Sequence, residues 1–129
     1  MIKEADWQKN YWKSEYRRLP DIIKTKNVNM DGSDTTLFKG YFKNGVKHSI
    51  GMEIYNTDQV FYGNFHNGQK EGEGIYRGIN ASMFNGSYLD DMKHGHGIQI
   101  SEGGIKYEGQ WQQNQKHGQG VETNLKNSD

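Results

Sequence analysis

Five histidines and sixteen carboxylates are the groups in this chain from which chemistry could be built. His94 and His117 each follow a lysine and precede a glycine, in Lys93-His94-Gly95 and Lys116-His117-Gly118. If they are equivalent positions in successive β-hairpins, two strand spacings separate them, ~9.5 Å. A shared metal needs each nitrogen at about 2.0–2.1 Å, so they cannot share one. His94 and His96 would lie ~6–7 Å apart on one strand face, with no third ligand in the pattern. The histidines therefore read as polar residues beside a turn. Gly72-Glu73-Gly74 resembles part of a phosphate-cradling loop. Such a loop leads from a strand into a helix, whereas this one leads into another strand. Glu53, Glu71, Glu73, Glu108 and Glu122 are spread along the chain without a convergent pair, and there is no cysteine for thiol chemistry or thiolate ligands. The expectation is a non-enzyme with no metal, no cofactor and no small-molecule substrate.

Lys47, Lys70, Lys93 and Lys116 form a column at one constant spacing. Such a ladder could follow an acidic filament or the headgroups of anionic lipid. Residues 37–129 nevertheless hold nine basic and ten acidic side chains, and Glu71, Asp90 and Asp91 lie close to the column. A solvated strand edge is the favoured reading of the lysines, with an anion or lipid ladder as the rival.

Composition narrows the elements that could carry these residues. The chain has 129 residues, 16 basic and 16 acidic side chains, 17 glycines and one proline. Leu, Ile, Val and Phe together make up about 18%, below the ~20% under which disorder is suspected when net charge is also high. Net charge here is zero, and five Phe, three Trp and eight Tyr are available for burial. With two alanines and four leucines, a helical bundle is not expected. No apolar run approaches the ~18 residues of a membrane span, and no secretory signal is visible. Zero net charge provides no general field for nucleic acid. These features predict an intracellular, non-secreted protein that does not bind nucleic acid.

An internal repeat supplies the architecture. Gly40, Gly63, Gly86 and Gly109 recur at the same constant interval as the lysines, without an insertion. Two residues before them stand Phe38, Phe61, Phe84 and Tyr107; two after stand Phe42, Phe65, Tyr88 and Trp111. A second glycine set follows at Gly51, Gly74, Gly97 and Gly120, with Gly72, Gly95 and Gly118 two residues earlier in three copies. Side chains alternate along a strand, so aromatic-x-Gly-x-aromatic sets all three residues on one face. Asn44-Gly45 and Asn67-Gly68 fit type I′ turns, whose central residues both need positive φ; Asp90-Asp91 and Gln113-Asn114 occupy the same place less ideally. Ser101-Glu102-Gly103-Gly104 reads as the turn into the next copy. The predicted fold is mainly β: an elongated antiparallel sheet of stacked hairpins, each copy touching only its neighbours.

Two stretches are diagnostic: Tyr107-Glu108-Gly109-Gln110-Trp111 followed by Lys116-His117-Gly118-Gln119-Gly120, and Phe61-Tyr62-Gly63-Asn64-Phe65 followed by Gly72-Glu73-Gly74. In these the sequence resembles the MORN (membrane occupation and recognition nexus) repeat family. It divides residues 37–129 into four copies, 38–60, 61–83, 84–106 and 107–129. The first copy departs at Ser49 and Phe38, and the third at Asp91.

Residues 1–36 form a separate arm. Met1 to Leu19 reads as a short α-helix stopped by Pro20. At ~100° per residue, Ala5, Trp12, Tyr16 and Leu19 share one face, with Trp7 and Tyr11 on a neighbouring stripe. Asp21 to Thr36 reads as an extended connector with a capping strand at Lys26–Met30. The arm either caps the exposed edge of the hairpin stack or docks on a partner through Trp7, Tyr11, Trp12 and Tyr16, residue types that often dominate interfaces.

The resemblance implies structural duty, since the family includes ciliary spoke-head, apical cytoskeleton and membrane-junction proteins. It also implies a rival lipid or phosphoinositide role in membrane association. The expectation is a scaffold subunit contacting other protein subunits of a larger assembly, ciliary or cytoskeletal, with membrane contact not favoured. An accessory subunit of an organellar complex, including a mitochondrial one, fits the sequence equally.

Overall fold

The computed structural model describes residues 22–24, 37–56 and 59–126. Its eight long strands are β2 (Leu37–Lys43), β3 (Val46–Asn56), β4 (Gln59–His66), β5 (Gln69–Arg77), β6 (Met83–Leu89), β7 (Met92–Ile100), β8 (Ile105–Gln112) and β9 (Gln115–Asn124). A three-residue strand, β1 (Ile22–Lys24), pairs with the outer edge of β2 through Ile22↔Lys39 and Lys24↔Leu37. Every neighbouring pair is antiparallel, and strand order follows chain order in one open sheet. The mainly-β hairpin architecture expected from the repeat is present. The helix expected over residues 1–19 and the strand expected at Lys26–Met30 lie outside the described residues. Among the described residues the only helical element is a 3₁₀ turn at Ile79–Ala81, and no helix is long and apolar enough to cross a membrane.

Each hairpin turn has two consecutive residues at positive φ: Asn44 (53°) and Gly45 (80°), Asn67 (52°) and Gly68 (84°), Asp90 (52°) and Asp91 (66°), Gln113 (51°) and Asn114 (67°). This is the type I′ requirement, met in all four copies. The turn fixes the near register, pairing Phe42 with Lys47, Phe65 with Lys70, Tyr88 with Lys93 and Trp111 with Lys116. Beyond it the returning strand bulges. Between the Phe42↔Lys47 and Gly40↔Gly51 pairs, residues 48–50 stand opposite Tyr41 alone. The middle residue of the bulge is left-handed in every copy: Ser49 (67°), Gly72 (91°), Gly95 (81°) and Gly118 (63°). Glycine takes this conformation without steric cost, so the column of Gly72, Gly95 and Gly118 within the return strands has a backbone cause. Ser49 occupies it against its own preference.

The bulge brings the two glycine sets into register. Gly40↔Gly51↔Gly63↔Gly74↔Gly86↔Gly97↔Gly109↔Gly120 forms one row across the sheet. The row lets large rings lie on the backbone. A Cβ on Gly74 would stand 2.6 Å from the Phe61 ring.

Over this row the aromatic columns close into one chain of rings running Phe42, Phe38, Phe65, Phe61, Tyr88, Phe84, Trp111, Tyr107. Successive centroids are 5.1–5.6 Å apart at interplanar angles of 83–89°. This is the edge-to-face geometry that the ring quadrupole favours, worth about 0.5–1.5 kcal/mol per pair beyond burial. Phe38, Phe61 and Phe84 are fully buried. A thin sheet with few aliphatic residues thus obtains a core from one file of rings.

Candidate binding surfaces

The lysine column stands on the aromatic face. The Lys47 ammonium lies 5.1 Å from the Phe38 centroid and 5.8 Å from Phe65. Lys70 lies 4.8 Å from Phe61 and 6.0 Å from Tyr88. Lys93 is 4.9 Å from both Phe84 and Trp111, and Lys116 is 4.9 Å from Tyr107. A cation over a ring face within ~6 Å is attracted by the ring's quadrupole, by about 0.5 kcal/mol when exposed and ~2 when desolvated.

Each ammonium also has an oxygen partner. Lys47 donates to Glu53 Oε2 at 2.9 Å, Lys93 to Gln99 Oε1 at 3.0 Å, and Lys116 to Glu122 Oε1 at 2.9 Å. Residues 53, 99 and 122 share a column. The second copy has Tyr76 there, and Lys70 instead reaches back to Glu53 Oε1 at 3.7 Å. The Tyr55 hydroxyl donates to that same oxygen at 3.1 Å, so Glu53, buried at 8% exposure, serves three partners.

The solvated edge expected for these lysines is corrected at Lys47 and Lys70, whose side chains are 15% and 20% exposed. Lys93 is desolvated as well, and burial lowers its pKa from the ordinary lysine value. Only Lys116 approaches the expected picture, at 45%. The sequence contained a signal for this. A two-residue turn at 44–45 sets position 47 opposite Phe42, and hence on the ring face. The oxygen column was not legible in the same way, because the bulge, and not simple alternation, brings Glu53 opposite Phe38.

The opposite face is different. Met52 and Val60 are buried there, packed with Ile50, Ile54 and Tyr62, and Met83 and Ile100 form a smaller cluster. The same face carries a groove of about 310 Å³ lined by Ile50, Tyr62, Asn64, Glu73, Ile75 and Asn85, with Gly63 and Gly74. Its rim is polar: Ser87 donates to Glu73 Oε1 at 3.0 Å, and Asn64 donates to the Glu73 carbonyl at 3.4 Å. Sequence reasoning did not single out this face. Its one repeated signal is the apolar column Met52, Ile75, Ile98 and Val121, one residue after the second glycine set.

The remaining sites predicted from sequence are separate features. Trp7, Tyr11, Trp12 and Tyr16 lie outside the described residues. His96 faces Glu108 at 3.4 Å, and the His48 and His66 rings stand 5.7 Å apart. No group of three or more metal-ligating side chains occurs among the described residues.

Comparison with known proteins agrees with this geometry. No curated protein gives a significant match to the chain. The family profile described as MORN repeat matches four times in succession, at residues 38–60, 61–83, 84–105 and 107–124. Each match begins at a residue of the first aromatic column, Phe38, Phe61, Phe84 or Tyr107. The chain belongs to the MORN repeat family.

Proposed function

We propose that this chain is a non-catalytic scaffold subunit, which uses its ribbon for protein–protein contacts within a larger assembly. Its repeats are consistent with a protein–protein or membrane-association module. The observation that favours protein is the use of the lysine column. Lys47, Lys70 and Lys93 are held over the ribbon's own rings and against Glu53 and Gln99, which leaves them poorly placed as a ladder for anionic headgroups. The other face offers an apolar groove with a polar rim, the mixture that suits a protein contact. A ciliary or cytoskeletal assembly is the setting that the family resemblance favours, with an organellar complex as the alternative setting.

The test is purification of the tagged full chain from its native source under mild conditions. A complex of fixed stoichiometry that survives moderate salt supports the reading. If the arm docks, Trp7→Ala and Trp12→Ala lower the yield of partners while leaving the circular dichroism of the ribbon unchanged. A chain recovered only with membranes, and released by salt, overturns it in favour of lipid association.

A further inference from the structure

The contacts between successive repeats recur three times and then stop half-made at β9. In the first three copies the lysine bridges its own repeat's first ring and the next repeat's second ring: Lys47 over Phe38 and Phe65, Lys70 over Phe61 and Tyr88, Lys93 over Phe84 and Trp111. Lys116 covers Tyr107 alone among the described residues. A Cβ on Gly51, Gly74 or Gly97 would meet the next repeat's Phe65, Tyr88 or Trp111 at 3.2–3.3 Å, whereas the atoms nearest to one on Gly120 all belong to Tyr107. The Lys47, Lys70 and Lys93 carbonyls accept hydrogen bonds from the next turn, from the backbone N–H of Gly68, Asp91 and Asn114. No such bond reaches the Lys116 carbonyl among the described residues. Gly51, Gly74 and Gly97 are buried, while Gly120 and all of β9 are exposed.

The same chain carries the complementary half at its other end. Phe65, Tyr88 and Trp111 each contact two first-column rings; among the described residues Phe42 contacts one, Phe38. The Asn44-Gly45 turn stands at the position from which the other turns bond back to a lysine carbonyl. On the outer edge of β2, the described strand β1 covers Leu37–Lys39 and leaves Gly40–Phe42 unpaired by any described strand.

We propose that the exposed edge of β9 receives the Gly40–Phe42 stretch of a second copy of this chain, so that copies join head to tail. The repeat dictates the register. Gly72↔Tyr88, Glu73↔Ser87, Gly74↔Gly86 and Gly95↔Trp111, His96↔Gln110, Gly97↔Gly109 become Gly118↔Phe42, Gln119↔Tyr41 and Gly120↔Gly40 of the second copy. Phe42 then stands edge-on to Tyr107, Lys116 covers both rings, and the Gly45 N–H of the second copy donates to the Lys116 carbonyl. These three pairs leave β1 in place; extension to Thr123 exchanges it for β9. A symmetric β9-to-β9 pairing would also cover the edge, but β9 carries no Phe, Tyr or Trp to set against Tyr107. The head-to-tail arrangement is heterologous and open-ended, the kind that builds chains of subunits. It stands independently of any contact with other proteins.

Cysteine placement tests the register, because the chain has no cysteine of its own. Tyr41, 49% exposed, and Gln119, also exposed, tolerate replacement. Paired antiparallel residues have Cα atoms about 4.5–5.5 Å apart, within disulfide reach. A mixture of full-length Tyr41→Cys and Gln119→Cys chains should give a mixed disulfide dimer in large excess over either self-linked product. Light scattering of the wild type should show mass rising with concentration. A wild type that stays monomeric up to its solubility limit overturns the proposal. So does a Gln119→Cys chain that links to itself as readily as to Tyr41→Cys, which would indicate edge-to-edge pairing of β9.

Discussion

Lys70 and Glu53 are paired across a repeat boundary, Nζ to Oε1 at 3.7 Å, although they lie in different hairpins. The pair exists because Tyr76 occupies the column from which Gln99 and Glu122 serve the lysines of their own copies. Glu53 thereby ties the first two hairpins together, also accepting from Lys47 and from the Tyr55 hydroxyl. Replacing Glu53 by Gln removes the charge while preserving shape. We expect a loss of about 2 kcal/mol in urea unfolding, the scale for hydrogen bonds to charged partners. The control Glu122→Gln should cost under about 1 kcal/mol, because its pair with Lys116 is exposed.

Ser49 holds φ at 67° in the column where the other copies have glycine. An L-residue in this region carries a cost of roughly 1–2 kcal/mol, and glycine loses part of the gain to chain entropy. Ser49→Gly should stabilise the protein by about 0.5–1 kcal/mol in denaturant unfolding, and Gly72→Ser should destabilise it by a similar amount.

The ring file predicts a graded response along the sheet. Phe84 is 1% exposed and packs between Tyr88 and Trp111, so Phe84→Ala should cost about 3–5 kcal/mol. Phe42 is half-buried against one described ring, and Phe42→Ala should cost clearly less in the monomer. Gly74→Ala should cost about 1–3 kcal/mol, because its methyl group would press on Phe61. Thermal and urea unfolding of the three variants would check this order.

Titration offers a separate check. Burial, with Glu53 second, drives the Tyr55 hydroxyl far above its ordinary value, and burial, with Tyr76 second, does the same to Tyr88. A folded-state pKa raised above the unfolded one gives stability that is fully present below the unfolded value, about pH 10, and is lost as pH climbs past it. Lys93 has the opposite sign. Its folded pKa lies below 10.5, so the unfolded chain holds more protons just below that value and stability rises with pH there. Ultraviolet titration should show two tyrosines that stay neutral until alkaline unfolding. Tyr88→Phe should make the fall in stability above pH 10 shallower, and Lys93→Met should remove the opposing rise.

The architecture was legible in sequence because each column is fixed by a strict local demand. Paired rings need glycine between them, a two-residue turn needs positive φ, and a constant period without insertion repeats both demands in every copy. The candidate surfaces were less legible. The lysines read as solvated because lysine usually is, and only the turn register places them over the rings. Glu53 was hidden by a bulge that shifts pairing beyond simple alternation. The groove around Ile50, Tyr62 and Ile75 draws only Ile75 from the repeated apolar column (Met52, Ile75, Ile98, Val121), so it emerges only when four strands are side by side.

The proposed function requires that the lysine column serve the ribbon's own core and not a membrane. The direct measurement is co-sedimentation of the wild-type chain with vesicles rich in phosphatidylserine and phosphoinositide, at physiological ionic strength. The protein should remain in the supernatant, and Lys116→Gln, the change at the most exposed lysine of the column, should make no difference. Salt-sensitive pelleting of the wild type, reduced by Lys116→Gln, would contradict the account.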